Sequence, residues 1–69
     1  MTTILKQVSN KNYYITLTQE GNALKVSANP IVKSGDLEYV GYSERETIYH
    51  YSELKKAQAT FARYTKKYL

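Results

Sequence analysis

An alternation of apolar and polar residues in the first half of the chain predicts two neighbouring β-strands. In residues 13–18, every second side chain is apolar, and the residues between them are a tyrosine and two threonines, which strands also favour. Residues 23–29 alternate in the same way. Residues 19–22 contain Gly21 and Asn22, which adopt a positive φ at little cost and are typical of a tight turn. The pattern therefore predicts a β-hairpin.

Less regular segments follow the hairpin. Pro30 lacks a backbone donor, so we expect the strand ladder to end there, with Ile31 and Val32 continuing it only past a kink. A turn at residues 33–36 would lead to a third strand over residues 37–42, with Leu37 and Tyr39 facing inward.

Two further segments are weaker strand candidates. Residues 43–46 read as a turn, and residues 47–51 as a short fourth strand or a connector. Within that segment Tyr49 and Tyr51 compete with Ile48 for the inward position, and the pattern does not choose between them. Residues 2–8 are a possible additional edge strand.

The pattern changes to a helical period after residue 52. From Ser52 to Leu69 the chain has no glycine or proline, and Ser52 is a suitable N-cap with Glu53 in the first turn. The apolar residues then recur at spacings of three and four and fit within an arc of about 80° at 100° per residue. They are Leu54, Ala57, Phe61, Tyr64 and Tyr68. This stripe predicts an amphipathic C-terminal helix.

Together these elements predict one α+β domain spanning residues 1–69. Its fold would be a small antiparallel meander of three or four strands, with the C-terminal amphipathic helix packed on one face. The expected core comprises Ile15, Leu17, Leu24, Val26, Leu37, Tyr39, Leu54, Phe61 and Tyr64. A domain of this size buries only about 60% of its unfolded surface, so a homodimer is a possible way to extend the core.

Candidate chemistry is sparse. The chain has no cysteine and a single histidine, His50, for which a structural role is the more common one. No glycine-rich phosphate loop, nucleophile motif or metal-ligand spacing is present. We therefore expect a protein without enzymatic activity, cofactor or metal. With no apolar run suited to a signal peptide or a membrane span, we also expect no membrane association and a cytoplasmic location.

Charge is the feature that points to a partner. The net charge is +4, and the last sixteen residues carry five bases and no acid. On a helical wheel these bases span about 120° opposite the apolar stripe. They are Lys55, Lys56, Arg63, Lys66 and Lys67, called the basic helix face below. Such a face fits three readings: a solvated surface, a site for nucleic-acid phosphates, or a site for an acidic protein surface.

A second candidate surface is the outward side of the predicted sheet. Tyr14, Lys25 and Tyr42 would place aromatic rings beside a base there, and such rings can stack on unpaired nucleobases. Tyrosine and threonine are also common on any exposed strand, and the aromatic signature of RNA-recognition sheets is missing. The acidic segment of residues 36–53 could mask the basic helix face or form a separate patch.

The order of the predicted elements resembles that of the arm-site DNA-binding domains of phage-type integrases, which run β-β-β-α. The likeness covers residues 13–18, 24–28 and 37–42, and then Glu53-Leu54-Lys55-Lys56-Ala57. It is architectural, carries no specific motif, and does not assign the chain to that family. In those domains the sheet enters the major groove of DNA.

Two functional hypotheses follow. The first is a nucleic-acid-binding accessory protein that uses the basic helix face, assisted by tyrosines of the sheet. The alternative is a small inhibitor or adaptor, of the phage or mobile-element type, that binds and blocks a protein target as anti-CRISPR proteins do. Small size and the lack of catalytic residues suit both hypotheses.

Overall fold

The α+β class predicted from the sequence is confirmed in a computed structural model of the protein, which describes residues 2–69. An antiparallel sheet of five strands is followed by one C-terminal helix. The strands are β1 (Thr2–Ser9), β2 (Tyr13–Glu20), β3 (Ala23–Ser34), β4 (Leu37–Val40) and β5 (Arg45–His50). A short 3-10 turn, Tyr51–Glu53, leads into helix α1 (Leu54–Tyr68).

The predicted hairpin is the centre of the sheet. β2 and β3 pair without interruption from Tyr13 opposite Pro30 to Glu20 opposite Ala23. Gly21 supplies the positive φ of 59° that the turn between them requires. β1, offered by the sequence only as a possible edge strand, pairs with β2 and has an irregular register between Ile4 and Lys6. The sheet thus has more strands than the three or four predicted.

β3 does not end at Pro30 but continues to Ser34. Pro30 pairs with Tyr13, the first residue of β2, so β2 has no further residue that needs a backbone donor from β3. Beyond it, the Ile31 amide donates to the Asn12 carbonyl, and the Pro30 carbonyl accepts from the Gly41 amide. The ladder between β2 and β3 thus ends at Pro30 as predicted, while the strand itself continues past the proline and pairs with β4 from Ile31 onward.

The last two strands pair with successive parts of β3. β4 pairs with residues 31–34, and β5 pairs with residues 23–28. The fourth predicted strand thus exists but begins at Arg45, two residues earlier than expected, and the predicted turn at residues 43–46 is shorter. Thr47 and Tyr49 lie opposite Val26 and Leu24, which settles the inward side of β5, while Ile48 is exposed.

The buried core joins α1 to the middle strands. α1 contacts β2, β3 and β5, and the cluster combines Ala57 and Tyr64 of the helix with alternate residues of β2 and β3. The strand members are Ile15, Leu17, Leu24, Val26 and Ala28. Phe61 and Tyr68 pack partly against this cluster. Two hydroxyl pairs tie β5 to α1: Thr47 with Tyr64 at 2.7 Å, and Tyr49 with Thr60 at 2.6 Å.

Three predicted core residues lie outside the core. Leu37 is 70% and Tyr39 is 53% exposed, and Leu54 at the start of α1 is exposed as well. A helix of 15 residues is about 22 Å long, whereas a strand of 12 residues spans about 40 Å. The helix therefore covers only part of β3. The end of β3 and β4, residues 31–40, extend past it as a hairpin arm.

Candidate functional site

The helix begins differently from the prediction, and this decides the surroundings of its first basic residues. The predicted N-cap Ser52 lies within the 3-10 turn that precedes α1, and Glu53 stands at the N-cap of α1 without a side-chain capping bond. His50 caps the 3-10 turn: its Nδ1 accepts from the Ser52 amide at 3.3 Å. The Glu53 carboxylate accepts from the His50 amide at 3.3 Å and lies 3.2 Å from the Lys56 Nζ. The hydrogen bond with Lys56, followed by that from the His50 amide, lowers the pKa of Glu53.

Within residues 2–69, the acidic segment pairs with one member of the basic helix face, Lys56. Between residues 2 and 69, the pair of Glu53 with Lys56 is the single contact shorter than 4.0 Å between oppositely charged side chains. Glu44 instead accepts a hydrogen bond of 2.8 Å from the Tyr13 hydroxyl, a bond that raises the pKa of Tyr13 together with burial of the ring. Glu38 lies on β4 and Asp36 directly before it, away from α1.

The bases of the helix face are all exposed but are not one cluster. Lys55 and Lys56 lie in the first turn of α1 and Lys66 and Lys67 in the last, separated by about 16 Å along the axis. Bases in the last turn of a helix interact favourably with the helix dipole, whereas bases in the first turn interact unfavourably with it. Of the two first-turn bases, Lys56 alone has an acidic side chain within 4.0 Å in the described part of the chain to offset this. Helix stability therefore does not account for Lys55.

At the end of the helix, two bases of the face meet a third from the sheet. Arg63, Lys67 and Arg45 of β5 line a cleft of about 160 Å³ between β5 and α1, called the basic cleft below. Its remaining lining residues are Thr47, Thr60 and Tyr64, so no acidic side chain lines it. The Arg63 Nη2 donates to the Thr60 Oγ1 at 3.0 Å.

Aromatic rings flank two of these bases. The Arg45 guanidinium carbon lies 5.9 Å from the centroid of the Tyr64 ring, and the Lys67 Nζ lies 5.5 Å from the centroid of the Tyr68 ring. Both distances permit cation–π attraction, which orients each base without neutralising its charge. The basic cleft is therefore a positively charged, hydroxyl-containing recess suited to an anion.

The structure does not bring the predicted sheet residues to this place. Tyr14 and Lys25 alternate along their strands with the core residues Ile15 and Leu24, so their side chains point away from the core. The Tyr14 hydroxyl donates to the Gln7 side chain. Lys25 lines a broad groove of about 560 Å³, the sheet groove, whose floor includes the hydrogen-bonded hydroxyls of Thr16 and Ser27.

Tyr42 lies elsewhere again. It follows β4 instead of belonging to the predicted strand of residues 37–42, and it is 98% exposed. With Tyr39 and Val40 of the hairpin arm it lines an apolar recess of about 560 Å³. The eight predicted site residues thus fall on three separate surfaces: the basic helix face, the outward face of the sheet with Tyr14 and Lys25, and the recess at the hairpin arm.

Reasoning from the sequence missed Arg45, Thr47 and Thr60. Arg45 lies within the acidic segment, and its pairing with Ala28 depends on a strand register that local periodicity does not specify. Thr60 interrupts the apolar stripe of the helix, yet it is buried. Its burial is tolerated because its hydroxyl is hydrogen-bonded to the side chains of Tyr49 and Arg63. Its position three residues before Arg63 was the one available signal.

Two kinds of site have no support in the described residues. Residues 2–69 hold no group of three His, Cys, Asp or Glu side chains placed to bind a metal ion. The helix found in this part of the chain is too short and too polar to span a membrane. In comparisons with known proteins, no family model, no curated protein and no solved structure matches the chain.

Proposed function

We propose that this protein binds nucleic acid through the phosphate backbone, along the basic helix face and without enzymatic activity. The observation that carries the proposal is the convergence of Arg45, Arg63 and Lys67 on a cleft lined by no acidic side chain. Lys66, which precedes Lys67 in the sequence, extends the positive surface, and Lys55 continues it at the other end of the helix. We infer that α1 packs on one face of the sheet, which leaves its basic side free for a partner.

The helix surface also has the shape that backbone binding requires. Ala59 and Ala62 are exposed between the bases, so no bulky side chain prevents a strand from approaching the helix axis. Lysine and arginine contacts to phosphates fix position and supply salt-dependent affinity but do not read bases. The expected binding is therefore of moderate affinity and weakly dependent on sequence.

The experiment is a fluorescence-anisotropy titration of duplex DNA and of single-stranded RNA at several salt concentrations. For the wild type, the affinity should fall steeply with salt. The double variant Arg63→Gln, Lys66→Gln removes two phosphate contacts, and on duplex DNA the log–log salt slope should fall by about 1.8, or about 0.9 for each contact. Absence of binding at low salt would show that the proposal is wrong.

A matched control separates the helix surface from net charge. Lys11→Gln, Lys33→Gln removes the same charge from the turn between β1 and β2 and from the hairpin arm. Its salt slope should equal that of the wild type. An equal loss in both double variants would mean that the affinity follows net charge alone, and would overturn the assignment to the helix.

The hairpin arm favours a second candidate function, the binding and blocking of a protein target. Leu37, Tyr39 and Tyr42 expose large apolar side chains on or beside a projecting hairpin. Aromatic residues in such positions are the usual anchors of protein interfaces. Under this alternative, Tyr39→Ser, Tyr42→Ser should lose a specific partner in pull-downs that the wild type and the Arg63→Gln, Lys66→Gln variant retain. Equal recovery by all three proteins would contradict it.

A further inference from the structure

The basic cleft differs from the rest of the helix surface in its degree of enclosure. It has walls from two elements, β5 and α1, and its volume of about 160 Å³ is roughly five times the ~30 Å³ that a water molecule occupies in the liquid. Typical small-molecule pockets are larger, about 300–1,000 Å³. The recess therefore has room for one small charged group but not for a whole nucleotide.

The hydroxyl groups of the cleft can donate to such a group. The Thr47 Oγ1 and the Tyr64 Oη are 2.7 Å apart and share one hydrogen bond, which uses only one of their two protons. The other proton can be donated into the cleft. Arg63 donates one of its guanidinium N–H groups to the Thr60 Oγ1, and its other N–H groups can donate to a ligand.

The charges of the cleft favour a dianion. Arg45, Arg63 and Lys67 line the same recess, and none of them lies within 4.0 Å of a carboxylate in residues 2–69. Like charges placed together repel one another, and an anion between them relieves that repulsion. A backbone phosphodiester carries one negative charge, whereas a phosphomonoester carries about two at neutral pH, with a second pKa near 6. Three bases complement the monoester better.

We propose that the basic cleft is a binding site for a phosphomonoester dianion, such as the terminal phosphate of a nucleic-acid strand or the phosphate of a free nucleotide. Bidentate arginine contacts and hydroxyl donors would hold the phosphate oxygens. With a strand end as its source, the inference rests on the proposed function. The rest of the strand would then follow the basic helix face towards Lys55.

The test compares two oligonucleotides of identical sequence, one with a 5′-phosphate and one with a 5′-hydroxyl group, by competition in fluorescence anisotropy. The phosphorylated strand should bind about tenfold more tightly, as expected for added charge-assisted hydrogen bonds. This ratio should decline when the pH falls below about 6, because the monoester then becomes a monoanion.

Two variants locate the effect. Arg45→Gln removes a base of the cleft that does not belong to the helix, and should bring the affinity ratio close to one. Lys55→Gln removes the same charge from the helix outside the cleft, and should weaken both oligonucleotides while leaving the ratio unchanged. Both residues are exposed, so neither variant is expected to impair folding.

A second measurement distinguishes failure of the cleft proposal from failure of the proposed function. In an NMR titration with inorganic phosphate, the amide signals of Thr47, Thr60 and Arg63 should shift, and they should not shift in Arg45→Gln. If both oligonucleotides bind equally and phosphate shifts no cleft signal, the inference is overturned and backbone binding stands. If phosphate occupies the cleft but no oligonucleotide binds, the site stands for free phosphates and nucleic-acid binding is wrong.

Discussion

Single residues at the entry to the helix show how local chemistry compensates for an unfavourable charge. Lys55 and Lys56 oppose the helix dipole, and Glu53 offsets part of this through its contact with the Lys56 Nζ. The same carboxylate accepts from the His50 amide, while the His50 ring accepts from the Ser52 amide. The only histidine of the chain thus has a structural task at the helix start.

We predict that Glu53→Gln lowers the free energy of unfolding at neutral pH but not in acid. The folded state lowers the pKa of Glu53 below its ordinary value of 4.5, so the stabilisation is complete above that value. It is lost as the pH falls through the folded-state pKa, where the carboxyl becomes protonated in both states. Urea unfolding of the two proteins at pH 7, 4 and 3 measures the difference.

The matched control for this prediction is Glu38→Gln. Glu38 is exposed on β4 and, within residues 2–69, lies in no salt bridge, so its removal should leave the stability close to that of the wild type. A stability difference for Glu53→Gln that stays constant across the three pH values would contradict the prediction.

At the scale of elements, the decisive feature is the mismatch in length between α1 and β3. The helix contacts β2, β3 and β5, and the strand continues past it into the hairpin arm. Identical residue types therefore have different roles along one sheet. Leu17 is 1% exposed in the core, whereas Leu37 is 70% exposed on the arm.

We predict that Leu17→Ala lowers the free energy of unfolding by about 2–5 kcal/mol, through lost burial and the cavity left behind. Leu37→Ala should change it by less than about 0.5 kcal/mol, because its side chain is already largely in water. Urea unfolding followed by circular dichroism measures both. A loss above about 1 kcal/mol for Leu37→Ala would show that the arm is buried in solution, for example against a second copy.

At the scale of the whole molecule, a thin core makes stability sensitive to ligands. Within residues 2–69 the buried apolar cluster has seven members, and the chain of 69 residues has no cysteine to form a disulfide. A ligand that binds only the folded state adds about 2.7 kcal/mol at a hundred times its Kd. In a domain of this size each 1 kcal/mol shifts Tm by about 4–8 °C.

A nucleic acid at a hundred times its Kd should therefore raise the Tm by roughly 10 °C or more at low salt. Differential scanning fluorimetry measures this shift. The Arg63→Gln, Lys66→Gln variant should show a much smaller shift at the same concentration, and the Lys11→Gln, Lys33→Gln variant should show the full shift. A wild type whose Tm does not respond would contradict binding to the folded protein.

The local sequence pattern predicted those elements that are specified by residues close together in the chain. Alternation and the glycine turn were enough for the hairpin of β2 and β3, and the spacing of Ala57, Phe61 and Tyr64 was enough for the helix, because each pattern repeats within a few residues. The charges of the helix face were visible for the same reason. The fold class followed from the order of these elements.

Tertiary structure decided the rest. The exposure of Leu37 and Tyr39 depends on where the helix ends relative to β3, a distance that no local pattern contains. The basic cleft depends on the register that sets Arg45 opposite Ala28 and brings it to the helix beside Arg63 and Lys67. The sequence by itself determined which residues are charged, apolar or able to turn. Only the packing of β5 against α1 determined which charges meet, because these residues are far apart along the chain.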